Sequence, residues 1–133
     1  MTQQSPKNTL VLASTSPYRK MLLERLGIPF ETCSPDVDES ALPGEQPDQL
    51  VQRLALAKAN AVAEQLPASV VIGSDQLAAF DNRVIGKPGS MENARRQLAS
   101  FSGKQVLYLT SFAVLDSDSG RYVLETVQTT VNF

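Results

Sequence analysis

The sequence predicts an α/β domain with a mixed β-sheet and flanking helices. Two observations carry this prediction. Through the first hundred residues, short apolar runs alternate with segments of helical periodicity, the pattern of βα units. After that, Gln105–Leu115 and Tyr122–Phe133 read as two long strands. Between them lies the turn Asp116-Ser117-Asp118-Ser119-Gly120, so the sheet must contain antiparallel as well as parallel pairs.

The elements follow in order. Thr9-Leu10-Val11-Leu12-Ala13 is apolar and short enough for a buried strand. Ser16 reads as an N-cap with Pro17 at the first helical position. Tyr18, Met21, Leu22, Leu26 and Ile28 fall on one side of that helix, and Gly27 is its stop. Phe30–Cys33 reads as a second short strand. From Ser34 to Pro47 the chain is polar and acidic and rich in proline, which predicts a loop. A second helix is expected from Pro47-Asp48 to Leu66-Pro67, with Leu50, Leu54, Ala57 and Ala61 on its apolar face. Val70-Val71-Ile72 reads as a short central strand ending at Gly73-Ser74-Asp75-Gln76. Asp81-Asn82 has the chemistry of a hairpin turn between Leu77–Phe80 and Arg83–Ile85. Ser90 caps a third helix that Ser102-Gly103 ends near Phe101. No internal repeat or linker interrupts residues 1–133, which read as a single domain. Thr126–Phe133 reads as a strand in mid-course.

Composition narrows the chemistry. The 133 residues carry a net charge of -2, so no global basic field draws the chain to nucleic acid or to a membrane surface. No apolar run is long enough to span a bilayer. Met1–Asn8 lacks the apolar stretch of a signal peptide. One cysteine, Cys33, excludes an internal disulfide and suits a reducing cytoplasm. Histidine is absent, which excludes a Ser-His-Asp triad and a Cys-His pair and leaves no ligand set for tetrahedral zinc. What remains is carboxylate, Lys, Arg, hydroxyl and backbone amide. That set suits phosphate substrates and a hard cation.

The chemical candidates gather at strand ends and in the loops after them, where open α/β sheets bind ligands. Ser14–Lys20 leads from a strand into a helix whose free N–H groups favour anions, with Ser14 and Arg19 as added donors. The alternative is an ordinary capped helix. Asp75 follows an apolar strand and a glycine, so its carboxylate should emerge at the sheet's edge, to hold Mg²⁺ or orient a water. The alternative is a turn-forming aspartate. Gln76 reads a base edge or is solvated. Asp36-Val37-Asp38-Glu39 offers oxygen ligands for a cation, or is a solvated loop. Lys58 lies among Leu56, Ala57, Ala59 and Ala61 and either meets a phosphate or reaches to water. Gly86-Lys87-Pro88-Gly89 presents a lysine on a rigid turn, or is an ordinary loop.

Taken in order, five segments resemble the Maf family of nucleoside triphosphate pyrophosphatases, from Leu10 to Phe133. They are Leu-Ala-Ser-Thr-Ser-Pro-Tyr-Arg-Lys (12–20), Val-Asp-Glu (37–39), Ala-Leu-Ala-Lys-Ala (55–59), Ile-Gly-Ser-Asp-Gln (72–76) and Gly-Lys-Pro (86–88). The resemblance implies a fold similar to inosine triphosphate pyrophosphatases, with two lobes around a cleft. It implies a cytoplasmic hydrolase, often a homodimer, that converts a nucleoside triphosphate to the monophosphate and pyrophosphate with a divalent metal, Mg²⁺ or Mn²⁺. The partner is then a nucleotide, not a nucleic acid polymer or a membrane. By the same resemblance Asp75 is the general base and a metal ligand, and Glu39 is the acidic metal-site residue. Ser14, Arg19, Lys58 and Lys87 bind phosphate. Tyr18 and Gln76 stand where the subgroup preferring 7-methyl-GTP carries an aromatic, typically Trp, and Gln. The subgroup acting on dTTP and UTP has Arg and Thr there. A cationic methylated guanine suits an aromatic face. Tyr18 could instead pack into the core. Family members run on past the position of Phe133, so the resemblance also implies a missing C-terminal portion. The alternative functions are a dTTP and UTP pyrophosphatase of the same family or a non-catalytic nucleotide-binding regulator linked to septum formation, and an assembly module pairing its final strands is a further one.

Overall fold

A computed structural model describes residues 9–85 and 89–133. The chain order is β1 (Thr9–Ala13), α1 (Pro17–Glu24), β2 (Glu31–Cys33), α2 (Pro47–Ala63), β3 (Ser69–Phe80), β4 (Arg83–Val84), α3 (Met91–Ser100), β5 (Gln105–Asp116) and β6 (Tyr122–Asn132). The six strands form one mixed sheet in the order β2-β1-β3-β5-β6, with β4 beside β3. β1 runs parallel to β2 and to β3, while β5 runs antiparallel to both β3 and β6. The expected α/β class with a mixed sheet and flanking helices is observed.

Local chemistry explains the boundaries. Ser16 caps α1, its hydroxyl accepting the Arg19 amide at 3.3 Å, and Pro17 begins the helix. Gln46 and Gln49 form a reciprocal cap at the start of α2. Ser90 caps α3. Asp81 and Asn82 both take positive φ, 52° and 60°, as a two-residue hairpin of the primed type requires. Asn82 also donates to Gln46 Oε1, which ties the hairpin tip to the start of α2.

α2 lies on one face of the sheet. Val11 and Ala13 of β1, Val71 of β3, and Ala113 and Leu115 of β5 pack with Ala59 and Val62 of α2 into the buried core. Side chains alternate along a strand, so Leu12, Ile72, Gln76, Phe112 and Val114 face the other way. At the far end of the sheet, Phe80, Phe101 and Phe133 stack in series with centroids 5.1 and 5.6 Å apart.

Two expectations are corrected. The buried stripe of α2 is Leu50, Val51, Leu54, Ala55, Lys58, Ala59 and Val62; Ala57 and Ala61 are only half-buried. The reason is Gly73. A Cβ there would lie 2.3 Å from Ala55 O and 2.6 Å from Ala59 N, so the helix seats its Ala55–Ala59 ridge directly on the glycine. The central strand also does not stop at Gly73. β3 continues to Phe80, because β5 pairs with it from Val70↔Asp116 to Ala79↔Leu107.

Candidate functional site

The site begins with a mismatch in strand length. β1 pairs with β3 only from Thr9↔Ser69 to Ala13↔Gly73, and β4 joins the same edge only at Ala79 and Phe80. Ile85 N–H donates to Ala78 O at 2.8 Å. Between these contacts the edge of β3 from Ser74 to Leu77 has no strand beside it among the described residues. Asp75 and Gln76 sit in this notch. The expectation that Asp75 lies at a strand end is therefore corrected. It lies within β3 but beyond the end of β1, and it is buried at 7% exposure.

Asp75 shares the α2 face of the sheet with Val71 and Gly73. Lys58 of α2, also 7% exposed, reaches it there, with Nζ 2.9 Å from Asp75 Oδ1. Nζ also lies 3.8 Å from Glu39 Oε2, on a side chain that is 64% exposed. One ammonium thus joins a buried carboxylate to a solvated one. Glu39 is held by its loop. Arg53 of α2 forms a two-pronged pair with Glu45, Nε–Oε2 at 2.7 Å and Nη2–Oε1 at 3.0 Å, and donates to the carbonyl of Ser40 at 2.9 Å. The Arg53 guanidinium and the Leu42 N–H hold the Glu45 carboxyl below its ordinary range. The other acids of this loop do not converge on Glu39. Asp38 turns to Ser40, whose side chain and N–H hold its carboxyl below the usual range. Among the described residues no group of three or more acidic, Cys or His side chains gathers as a metal site.

The segment after β1 closes this end. Ser14, buried, accepts the Ser16 N–H through Oγ at 3.0 Å. Arg19, one turn into α1, donates from Nη1 to the Ser74 carbonyl at 3.2 Å. That carbonyl is one of the backbone groups freed by the notch. Ser14, Thr15, Ser16, Arg19, Glu39 and Lys58 line a polar cavity of about 210 Å³.

A second cavity, of about 430 Å³, opens on the opposite face of the sheet. Tyr18, Leu22, Ile72, Gln76, Thr110 and Phe112 line it, and Arg19 lines both cavities. No residue of α1 is buried, and Tyr18 is 64% exposed. Tyr18 therefore does not pack into the core but presents its ring at the cavity.

The structure brings Ser14, Arg19, Glu39, Lys58 and Asp75 together, with Tyr18 and Gln76 on the other side of the notch. Lys87 lies outside the described residues. Sequence reasoning did not single out Arg53, Gly73, Thr110 or Phe112. Gly73 had a readable signal, since a glycine inside an apolar strand marks close approach of another backbone. Thr110 and Phe112 had none, because only strand register places them.

Comparison with known proteins gives the family of the chain. Residues 9–133 match the Maf family, described as Maf-like protein. The chain is 52% identical over 124 residues to the 7-methyl-GTP pyrophosphatase of Albidiferax ferrireducens, which covers 93% of this chain and 62% of that protein. It is 51% identical over 123 residues to a protein of the same name from Pseudomonas fluorescens, covering 92% and 64%. For the Pseudomonas aeruginosa protein, also a 7-methyl-GTP pyrophosphatase, the figures are 50% over 124 residues, 93% and 65%. The chain thus spans less than two thirds of the length of the curated relatives it matches. With a family match over nearly its whole length and relatives at half identity, the chain belongs to the Maf family.

Proposed function

We propose that this site cleaves the α–β phosphoanhydride of a nucleoside triphosphate, releasing the monophosphate and pyrophosphate, with 7-methyl-GTP as the preferred substrate. The observation that supports it best is the convergence of Lys58, Asp75 and Glu39 beside the Ser14–Ser16 turn and Arg19. The names of the half-identical relatives support the same reading.

The triphosphate lies in the polar cavity. There the Arg19 guanidinium and the Lys58 ammonium face its oxygens. By the family resemblance Lys87, which lies outside the described residues, adds a further phosphate-binding cation. Glu39 and Asp75 fit a divalent cation, Mg²⁺ or Mn²⁺. Two carboxylates directed at one position match the way Mg²⁺ is held by one or two acids plus substrate phosphates. Such a cation supplies charge neutralisation on the phosphate oxygens. Asp75 accepts the proton of the attacking water. Lys58 changes partner from Asp75 to phosphate, which frees the carboxylate for that role. The base lies in the second cavity, against the Tyr18 ring and the Gln76 carboxamide. A methylated, cationic guanine on an aromatic face gains about 0.5–2 kcal/mol. Cytoplasmic location and a homodimer belong to this reading as well.

The test is pyrophosphate release from 7-methyl-GTP, GTP, dTTP and UTP, with Mg²⁺ or Mn²⁺, by wild type and Asp75→Asn. Fastest turnover of 7-methyl-GTP and loss of at least about a hundredfold in the variant are expected. Equal or faster dTTP and UTP turnover would move the chain to the pyrimidine subgroup. Near-wild-type turnover by the variant would remove Asp75 as base, and binding without release would favour a regulator.

A further inference from the structure

We infer that Thr110 of β5 is a positioning residue for base selection, acting through Gln76. The inference rests on the nucleotide-hydrolase reading above and deepens it.

Gln76 and Thr110 are direct cross-strand partners, as are Ser74 and Phe112. All four lie on the sheet face away from α2 and line the same cavity. β5 therefore supplies one wall of that cavity and α1 another, with Phe112 and Tyr18 as their aromatic groups. Within this frame Gln76 Nε2 donates to Thr110 Oγ1 at 3.1 Å. Gln76 is otherwise exposed and carries several free torsions. The threonine hydroxyl is the only partner its carboxamide has among the described residues.

That bond tethers the carboxamide, with Nε2 turned to Thr110 Oγ1. In that arrangement Oε1 has no protein donor among the described residues. It is the acceptor left to meet a ligand. Guanine offers donors on its Watson–Crick edge, N1–H and the exocyclic amine, so it matches an exposed acceptor. Adenine has an acceptor at N1 and does not. A hydrogen-bonding site discriminates chiefly because a mismatched partner is left unpaired. Without the hydroxyl the carboxamide rotates freely and presents either end, so the selectivity falls while the phosphate grip stays. Thr110 is half-buried in a strand, and valine keeps its shape and its β-propensity, so Thr110→Val removes the hydroxyl with little change to the fold.

The experiment measures dissociation constants by calorimetry for 7-methyl-GTP, GTP, ATP and inorganic tripolyphosphate. The proteins are wild type, Thr110→Val and Thr110→Ser. Thr110→Val should weaken both guanine nucleotides roughly three- to tenfold, the effect of one hydrogen bond. ATP and tripolyphosphate should be unchanged, and Thr110→Ser should restore the wild-type ratio. If wild type prefers guanine nucleotides and Thr110→Val keeps the same preference, Thr110 has no such role. An equal loss for tripolyphosphate, not rescued by serine, would make the effect structural and overturn the inference too. A wild type that binds tripolyphosphate as tightly as every nucleotide refutes the base site itself, and the inference falls with it.

Discussion

Replacing Gly73 with alanine tests the frame on which the site is built. Gly73 does not occupy the left-handed region, so alanine is conformationally acceptable there. On backbone grounds alone the substitution would stabilise the fold by about 0.4–1 kcal/mol. The packing predicts the opposite sign. The new Cβ would lie 2.3 Å from Ala55 O, 2.6 Å from Ala59 N and 2.9 Å from Ala59 Cβ, whereas ordinary contact begins at 3.4 Å. The first two atoms are backbone, so no side chain can swing away. α2 must withdraw by about 1 Å at this point. Overpacking of this kind costs about 1–3 kcal/mol. The same withdrawal stretches the Lys58–Asp75 pair from 2.9 Å to about 4 Å, beyond hydrogen-bond range. Losing a charged hydrogen bond adds about 1.5–3 kcal/mol. Net of the backbone gain, the expected loss is roughly 1.5–5.6 kcal/mol of stability, read from urea denaturation with an unchanged slope. In an Asp75→Asn background the loss should shrink, because the charged pair is already gone. A Gly73→Ala protein as stable as wild type, or more so, would refute the reasoning.

Two further outcomes follow. Lys58→Met leaves the Asp75 carboxylate buried without its cation and should cost roughly 3 kcal/mol, whereas Lys58→Met with Asp75→Asn should recover most of that; urea melts of the singles and the double give the coupling. Glu45 has a depressed folded pKa, so its contribution is complete above its ordinary value near 4.5 and is lost as pH falls through the lower folded value. Melts between pH 3 and 7 should therefore show stability falling on the acid side. Glu45→Gln should be less stable than wild type at neutral pH and show a shallower acid slope, and an unchanged slope would exclude Glu45 as its source.

What the sequence made legible was mostly local. The Ser16-Pro17 cap, the Asp81-Asn82 turn and the Ser90 cap are written in side chains that act on their own backbone, so they survive without knowledge of the tertiary fold. The phase of α2 was not legible in the same way. Apolar residues recur on several faces of Leu54–Val62, and alanine counts equally on each. Packing on Gly73 and the turn of Lys58 toward Asp75 decided the phase, and both are contacts between distant segments. The length of β3 failed for a related reason. Its second half is held by β5, some thirty residues later, and a glycine in mid-strand looked like an end. The candidate site residues were proposed from the resemblance to the family, which held no sign of their division between two cavities. Tyr18 and Arg19 are neighbours in α1, yet Tyr18 lines one cavity and Arg19 both.

That division follows from strand geometry. Side chains alternate along β3, so Asp75 and Gln76, one peptide apart, must face opposite sides of the sheet. In a complete sheet the two faces would be isolated from each other. Here the pairing of β3 with β1 stops at Gly73 and its pairing with β4 starts at Ala79, and the edge between them, uncovered among the described residues, joins the two sides. Arg19 occupies that edge by donating to Ser74 O, the residue before Asp75. A ligand whose charged and apolar ends are a few bonds apart can then meet Asp75 with one end and Gln76 with the other. The arrangement makes Asp75 and Gln76 mechanically inseparable. Slipping β3 by one residue against β5 would send Asp75 to the apolar cavity and Gln76 to Lys58, so the long β3–β5 ladder holds each side chain on its own face of the sheet.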